Sequence, residues 1–274
     1  MSVALRQAKV ESAQTGVNIP TVGPVGRSLL DGITLDYGPI DLLGRFFLQA
    51  DTALRARGIT LNFGTLDDLV AVNRRNPDTW RPLISIFDPA FGAIRQDNSF
   101  VLLGRDRAGL IVATQAARLY AWGDTNFAKE ATSLRLFYPD PPAQCLPNEK
   151  VVVTAKSAER VQGSVVFSGG VWFDPSHRGQ FLTGILPRIS RACAFTRWYT
   201  DITMTMMAET LIQKGVAERC GYTDIDWDVT LHNTRFGNLR FGLLQMKTAE
   251  MLDDLTRFIE SGTKVDGRIE NRAG

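Results

Sequence analysis

The stretch that decides the fold is residues 163–183, which read GSVVFSGGVWFDPSHRGQFLT. Its first part is rich in Val, Phe and Trp and predicts a β-strand over 163–173, with a bulge at Gly169-Gly170. The residues Asp174-Pro175-Ser176 end that strand. Residues 180–199 then carry apolar side chains at the 3.6-residue spacing of a helix that packs on a sheet. A strand, a short turn and a helix start therefore follow one another directly.

The turn between this strand and this helix is a candidate anion site. The first backbone N–H groups of a helix have no partner within the helix and lie at the positive end of its dipole, which favours phosphate oxygens. Gly179 lets a ligand approach the backbone, and the Arg178 guanidinium can add charge-assisted hydrogen bonds. An ordinary strand-to-helix turn with a surface arginine explains the same residues, because short glycine motifs often occur by chance.

The elements on either side of this turn complete the predicted order. Upstream, the patterns predict a helix over residues 40–57, a strand over 59–63, a capped helix from 65 onward, and an antiparallel hairpin formed by 99–105 and 110–120. Downstream, they predict a strand over residues 202–206, a helix over 209–220 that ends at Gly221, strands over 222–231 and 239–246, and a last helix over 249–261.

This order of elements resembles the GNAT superfamily of acyl-CoA-dependent N-acetyltransferases over about residues 59–246. The family's acyl-CoA signature is a strand followed by R-G-x-G-x-[GA] at a helix start, and here it reads Arg178-Gly179-Gln180-Phe181-Leu182-Thr183. The family's next helix ends in a Gly-Phe pair, to which Gly221-Tyr222 is similar. The resemblance implies an α/β (α+β) fold, with a mixed, largely antiparallel twisted sheet and helices on both faces.

The resemblance also implies an activity and a co-substrate. The chain would be an N-acyltransferase that moves an acetyl or other acyl group from acetyl-CoA or another acyl-CoA to an amine. Residues 171–173 would supply main-chain contacts to the pantetheine arm, and residues 178–183 would surround the pyrophosphate. These cofactor-binding residues are Val171, Trp172, Phe173, Arg178, Gly179, Gln180, Phe181, Leu182 and Thr183.

Three positions depart from the family pattern. Phe181 replaces the second glycine of the signature, and Thr183 replaces its small last residue. Ala217 falls where many members have the tyrosine that protonates the departing thiolate. We expect the Phe181 ring to pack in the core, because Leu182 and its apolar neighbours define an inward stripe beside it.

The catalytic base is predicted to be Glu209, which lies at the end of one strand and the start of the next helix. A carboxylate that stabilises the helix N-terminus is an equally good interpretation of this residue. Asp174, beside a proline, is expected to be a turn former. The alternating acids Asp224, Asp226 and Asp228 would recognise a cationic substrate or form the solvated face of a strand.

Several other residues have a functional and a structural interpretation. Arg188 and Arg191 would either meet the ribose phosphate of CoA or be surface arginines, and the second is expected. The methionines 204, 206 and 207 would line an acyl pocket or fill the core, and core filling is expected. Cys193 and Cys220 are expected to be packing residues, and the three cysteines show no metal-binding spacing.

Composition narrows the class of partner. The chain has 274 residues, is 44% hydrophobic and 22% charged, and has a net charge of +2, which predicts no nucleic-acid partner. Neither a signal peptide nor an apolar span is seen, so we expect a cytoplasmic protein without a membrane partner. The expected acceptor is a small-molecule or peptide amine, and a homodimer is possible by this interpretation.

The predicted organisation has three parts. Residues 1–38 form an irregular arm, residues 39–262 a GNAT-like acyltransferase domain with an N-terminal helical addition, and residues 263–274 a polar tail. Two alternatives to an active enzyme of this kind stay open. One is a catalytically inactive GNAT-like module that binds acyl-CoA or a protein partner. The other is an enzyme like the acyl-homoserine-lactone synthases, which share the fold.

Overall fold

The computed structural model describes residues 28–92 and 94–270, which form nine α-helices and eight β-strands. The helices are α1 (Leu29–Gly32), α2 (Ile40–Ala56), α3 (Leu66–Arg75), α4 (Phe127–Thr132), α5 (Pro141–Gln144), α6 (Leu182–Trp198), α7 (Glu209–Ile212), α8 (Val216–Arg219) and α9 (Thr248–Glu270). The strands are β1 (Thr60–Gly64), β2 (Ser99–Arg105), β3 (Ile111–Trp122), β4 (Lys150–Val153), β5 (Gly163–Phe173), β6 (Ile202–Ala208), β7 (Ile225–Thr234) and β8 (Gly237–Lys247).

All eight strands belong to one sheet, in the order β1-β2-β3-β5-β6-β8-β7-β4. Strands β5 and β6, which α6 connects, run parallel, and the other neighbouring strands run antiparallel. A parallel pair needs a long crossover, and a helix usually provides it. The predicted fold class, a mixed and largely antiparallel sheet with helices, is confirmed.

The parallel pair opens into a gap in the sheet. Residues 165–167 of β5 pair with residues 202–204 of β6, although β5 continues to Phe173 and β6 to Ala208. Beyond the paired residues, β5 stays hydrogen-bonded to β3 and β6 stays hydrogen-bonded to β8. The register of β3 with β5 shifts at Gly170, whose φ is +59°, so the predicted bulge is confirmed. The gap lies on the side of the sheet where β5 leads into α6.

Apolar residues cover both faces of the sheet. One cluster joins α1, α2, α6 and α9 to the sheet, with Leu43, Phe46 and Leu255 fully buried. The second cluster lies under α3, α4 and the loops, with Leu69, Phe87 and Phe127 fully buried. The predicted inward stripe of α6 is confirmed, since its members all belong to the first cluster: Leu182, Ile185, Leu186, Ile189 and Cys193.

Three local predictions have different outcomes. The capping box at the start of α3 is confirmed, because the Asp68 amide donates to Thr65 Oγ1 at 3.1 Å and the Thr65 amide donates to Asp68 Oδ2 at 2.9 Å. The single helix predicted over 209–220 is wrong. It is divided into α7 and α8 at Gly215, whose φ of +68° does not fit a right-handed helix. Gly221 ends α8 with a φ of +88°, as predicted.

The predicted terminal segments fall partly outside the described residues. Residues 1–27 of the predicted arm lie outside them, and its remainder contains α1 with a fully buried Leu29. Residues 271–274 of the predicted tail also lie outside, while α9 continues past 261 to Glu270. The three-part organisation stays a prediction. Within residues 28–92 and 94–270, no helix is both long enough and apolar enough to cross a membrane.

Candidate active site

A cavity of about 370 Å³ lies where the end of β5 meets the start of α6. Its walls include Phe173, Arg178, Gly179, Phe181, Leu182 and Thr183, which the sequence resemblance placed around acyl-CoA. The other wall residues are His177 and Arg219. Val171, Trp172 and Gln180 do not line the cavity, although Trp172 and Gln180 are direct neighbours of residues that do. The structure therefore brings the predicted pyrophosphate loop to one concave surface.

The backbone of this loop presents a row of free N–H groups. In the part of the chain that the structure describes, no acceptor is found for the amides of residues 179–183. The next amide, that of Gly184, donates to the Phe181 carbonyl at 2.9 Å. Because the helix dipole is positive at this end, these amides without an acceptor form an environment that favours an anion.

The turn before the helix is shaped by Asp174. Its Oδ1 accepts from the Ser176 amide at 2.9 Å and from the Ser176 hydroxyl at 2.5 Å, which confirms that Asp174 is a turn former. The hydrogen bond from the Ser176 side chain lowers the pKa of the Asp174 carboxyl below its ordinary value. Nδ1 of His177 lies 2.9 Å from Ser176 Oγ, at the edge of the cavity. These contacts fix the end of β5 relative to the helix start.

Two residues of the loop have positive φ, and a distant arginine holds the loop in place. Gly179 has a φ of +81°, which glycine adopts without steric cost, and Phe181 has a φ of +59°. Arg57, at the end of α2, donates from Nε to the Gln180 carbonyl at 2.7 Å. This bond directs the Gln180 carbonyl toward α2. A contact between residues that are far apart in the sequence thus fixes the orientation of the loop.

The prediction that Phe181 packs in the core is wrong. Its side chain is 48% exposed and lines the cavity, because the left-handed backbone turns the ring away from the inward stripe of α6. The ring lies against Gly184, where an added Cβ would come within 2.2 Å of the ring. Phe181 therefore covers the first turn of the helix from the outside.

The end of β5 forms one side of the gap in the sheet. Val171 is 40% exposed, whereas the Trp172 side chain is buried and stacks on Trp80 with 5.9 Å between ring centroids. Trp172 Nε1 also donates to Thr79 Oγ1 at 3.2 Å. Only the main chain of Trp172 is thus free to contact a ligand. Arg178 Nε donates to the Phe173 carbonyl at 3.2 Å, which ties the loop to the strand end.

Glu209 is the first residue of α7, at the end of β6, and does not line the cavity. Its Oε2 accepts from Arg240 Nη1 at 3.0 Å, and Arg240 also binds Asp228 at 2.8 Å. Within the described residues, no hydrogen bond to Glu209 Oε1 is found. Both interpretations of Glu209, as a base and as a helix N-terminal carboxylate, fit this position.

The other acids and the vacant tyrosine position also have structural explanations. Asp226 Oδ2 accepts from the Ser157 amide at 2.6 Å, and Asp228 pairs with Arg240, so two of the alternating acids bind within the protein. Asp224 is exposed. Ala217 is a fully buried residue of α8, and its methyl group can supply no proton.

The prediction that Arg188 and Arg191 are surface arginines is wrong, and neither lines the cavity. They are 9% and 0% exposed, and they form ion pairs with Asp254 of α9 at 2.9 Å and 3.2 Å. An arginine fork can be buried when a carboxylate and backbone carbonyls satisfy its donors. The partner lies on a distant helix, so the pattern of α6 alone could not reveal it.

The structural predictions for the methionines and for the two cysteines are confirmed. Met204 belongs to one core cluster and Met207 to the other, so the methionines fill the core on opposite faces of the sheet. Burial raises the pKa of the Cys193 thiol to about 12, and burial also raises that of Cys220. Both cysteines are therefore packing residues. In residues 28–92 and 94–270, no group of three or more His, Cys, Asp or Glu side chains could hold a metal ion.

No protein-family model matches this chain, and no curated protein matches its sequence. Its fold resembles solved structures of acetyltransferases. One is a mutant form of the spermidine/spermine N-acetyltransferase SpeG from Vibrio cholerae, at 10% identity and a TM-score of 0.44, covering 72% of this chain and 97% of that one. Another is the aminoglycoside acetyltransferase AAC(6')-Ib in complex with coenzyme A and kanamycin, at 13% identity and a TM-score of 0.42, covering 70% of this chain and 96% of that one.

Proposed function

We propose that this chain is an N-acyltransferase that moves an acetyl or other acyl group from acyl-CoA to an amine. One observation carries the proposal: the amides of residues 179–183 have no acceptor among the described residues, and they lie beside a cavity of about 370 Å³. A diphosphate is the part of CoA that such a group of amides would bind. Arg178 and Arg219, both at the cavity wall, would add positive charge.

The gap between β5 and β6 supports a place for the pantetheine arm. Residues 171–173 follow the last β5 residues that pair with β6, so their edge toward β6 is left for a ligand. An extended amide-containing arm would add to this edge as a strand does. The cofactor-binding role of Val171, Trp172 and Phe173 is thus proposed for their main chain.

The chemistry would be direct transfer. The amine nitrogen forms a bond to the thioester carbonyl carbon, the carbon–sulfur bond breaks, and CoA leaves as a thiolate. Backbone N–H groups at the separated strands would stabilise the oxyanion. Glu209, through Oε1 or a water molecule, would take the proton that the amine loses. Because Ala217 has no acidic proton, water would protonate the thiolate.

A second candidate function is an acyl-CoA-binding module without catalysis. It is favoured by the buried Ala217 and by the ion pair that engages Glu209 with Arg240. The phosphate loop would be the same in both cases, and only turnover would differ. We propose the enzyme first, with a small-molecule or peptide amine as acceptor. We also propose that it acts in the cytoplasm and can form a homodimer.

Thermal unfolding with a panel of acyl-CoA esters, followed by thiol release with pooled amines, tests both candidates. A ligand at 100 times its Kd should stabilise the protein by about 2.7 kcal/mol. Stabilisation with thiol release supports the enzyme, and stabilisation without it supports the binding module. If no CoA ester shifts the unfolding temperature, both proposals are wrong.

A further inference from the structure

Two arginines of α6 and one aspartate of α9 form a buried ion network. Arg188 Nε and Nη2 donate to the two carboxylate oxygens of Asp254, each at 2.9 Å. Arg191 Nη2 donates to Asp254 Oδ2 at 3.2 Å. Asp254 is 4% exposed and Arg191 is 0% exposed. Because the guanidinium of Arg188 binds the carboxylate through two parallel bonds, its orientation is fixed.

The same guanidinium holds the backbone of both walls of the cavity. Arg188 Nη1 donates to the Gly184 carbonyl at 2.5 Å and to the Arg219 carbonyl at 2.8 Å. Gly184 directly follows Thr183, which lines the cavity on the α6 side, and Arg219 lines it on the α8 side. One nitrogen atom thus bridges the first turn of α6 and the end of α8.

The turn after α8 packs directly on this network. Arg191 Nη2 donates to the Cys220 carbonyl at 2.6 Å. Gly221 has a φ of +88°, and a Cβ added there would lie 2.6 Å from Asp254 Oδ2 and 2.8 Å from Arg188 Nη2. There is no room for this turn to move toward the ion network. The position of Arg219 therefore depends on Asp254.

We propose that Asp254, acting through Arg188, is a positioning residue for the anion site at the start of α6, an inference that rests on the proposed binding of CoA. The carboxylate orients the guanidinium, and the guanidinium keeps the amides of residues 179–183 and the Arg219 side chain on opposite sides of one cavity. Helix α9 is in this way coupled to the ligand site although it does not line it.

An effect of charge and an effect of position predict opposite changes in CoA affinity when this carboxylate is removed. The network holds two arginines and one aspartate, so Asp254→Asn increases the positive charge near the cavity. If the network acted by charge alone, this variant would bind CoA more tightly than the wild type. If it acts by position, the loss of the bidentate bond lets the walls move and CoA binds more weakly.

Calorimetric titration with CoA decides between these outcomes. For Asp254→Asn and Arg188→Lys we expect Kd to rise about tenfold, which corresponds to about 1.4 kcal/mol. Lysine keeps the charge but cannot span the carboxylate and two carbonyls. Arg257→Ala is the control for the loss of another arginine partner of Asp254, since Arg257 Nη2 lies 4.0 Å from Asp254 Oδ1 and its side chain is exposed. Val229→Ala, in the other core cluster, is the control for lost stability. Both controls should keep Kd within about twofold.

The inference alone is overturned if the wild type binds CoA and Asp254→Asn binds it equally or more tightly, or if Val229→Ala loses as much affinity. Wild-type protein that binds no CoA overturns the proposed function and this inference together. Should the Asp254 variant not fold, hydrogen exchange on the wild type gives the answer. CoA should slow exchange in residues 215–222 and 250–257, because coupling is reciprocal. Protection confined to residues 178–184 contradicts the inference.

Discussion

The two walls of the cavity differ in how they are built. The wall formed by the end of β5 and the start of α6 offers mainly backbone groups, the amides of residues 179–183. On the opposite side, α8 contributes the Arg219 side chain to the cavity, and we call this side, with α7 and the turn at Gly221 behind it, the second wall. Two of its residues do not line the cavity and are engaged within the protein: Glu209 binds Arg240, and Ala217 is buried. The first wall keeps Arg178-Gly179 of the family pattern and departs from it at Phe181 and Thr183, and the second wall has Ala217 where the pattern has a tyrosine.

Anion binding and catalysis therefore place different demands on the sequence. A row of amides needs a strand, a turn and a helix start in the right order, and many side chains are compatible with it. Proton transfer needs particular side chains within hydrogen-bond reach of the reacting atoms. The first wall is therefore the firmer basis for a function, and experiments on the second wall have the larger effects to reveal.

The largest expected effect is on the second wall. If Glu209 is the base, Glu209→Gln should lower kcat about 10²-fold to 10⁴-fold and leave the Kd for CoA unchanged, because the amide cannot accept the proton of the amine. Thiol release with an acceptor amine measures kcat. Asp228→Asn is the matched control, since Asp228 is the other partner of Arg240, and its loss should cost far less activity. Equal turnover in Glu209→Gln and wild type would leave Glu209 as a helix N-terminal carboxylate.

The next effect concerns the first wall. Gly179→Val should weaken CoA binding about 100-fold. No atom lies within 4 Å of a Cβ added at this position, so a branched side chain there would project into the space proposed for the ligand. The φ of +81° also strains any residue with a Cβ by about 1–3 kcal/mol. Gly109→Val is the control for this strain, since Gly109 has a φ of +82°, equally open space and a place in the β2–β3 hairpin. Normal CoA titration of a folded Gly179→Val protein would place the phosphate site elsewhere.

Much of the fold could be predicted from periodicity and turn chemistry. The α6 stripe, the capping box at Thr65, the bulge at Gly170 and the cap at Gly221 all depend on residues close together in the chain. The broken helix over 209–220 was missed because Gly215 is tolerated inside a helix by pattern, at a cost of about 1 kcal/mol. In the structure it takes a left-handed conformation instead.

The parts of the site that were missed depend on contacts between distant residues. Arg57 reaches Gln180 across 123 positions of sequence, and Arg188 reaches Asp254 across 66. Neither pair has a local signal, since an arginine on a helix looks the same whether its partner is water or a carboxylate. Arg219 lines the cavity for the same kind of reason, whereas His177 directly precedes Arg178 and belongs to the same turn. The backbone geometry that brings them there is a property of the folded chain.

A smaller effect is expected from Arg57, which supports the first wall from behind. Arg57→Lys removes the guanidinium that binds the Gln180 carbonyl at 2.7 Å, so the loop should lose order and CoA binding should weaken about fivefold, or about 1 kcal/mol. Arg55→Lys is the matched control, since Arg55 lies on the same turn of α2 and pairs with Asp51 instead. Titration with CoA measures both. An equal effect in the two variants would mean that the end of α2 matters only for stability.

The smallest effect, and the one whose sign is most informative, is expected at Phe181. The family pattern has glycine there, and the structure places a half-exposed ring at the cavity wall with a φ of +59°. Phe181→Gly removes a left-handed conformation that costs a non-glycine residue about 1–2 kcal/mol, and glycine adds back about 0.5–1 kcal/mol of chain entropy. Little buried area is lost with a ring that is 48% exposed. The unfolding temperature should therefore stay nearly unchanged.

With the ring gone, the amides at the helix start are more open, and the Kd for CoA should fall about threefold, or by about 0.7 kcal/mol. Phe181→Ala separates the two causes, because alanine opens the wall but keeps the strain of positive φ. It should bind CoA as tightly as the glycine variant and unfold at a lower temperature. Weaker binding in both variants would instead mean that the ring is a contact surface for CoA. The first wall would then depend on a side chain as the second does, and the contrast between the two would be lost.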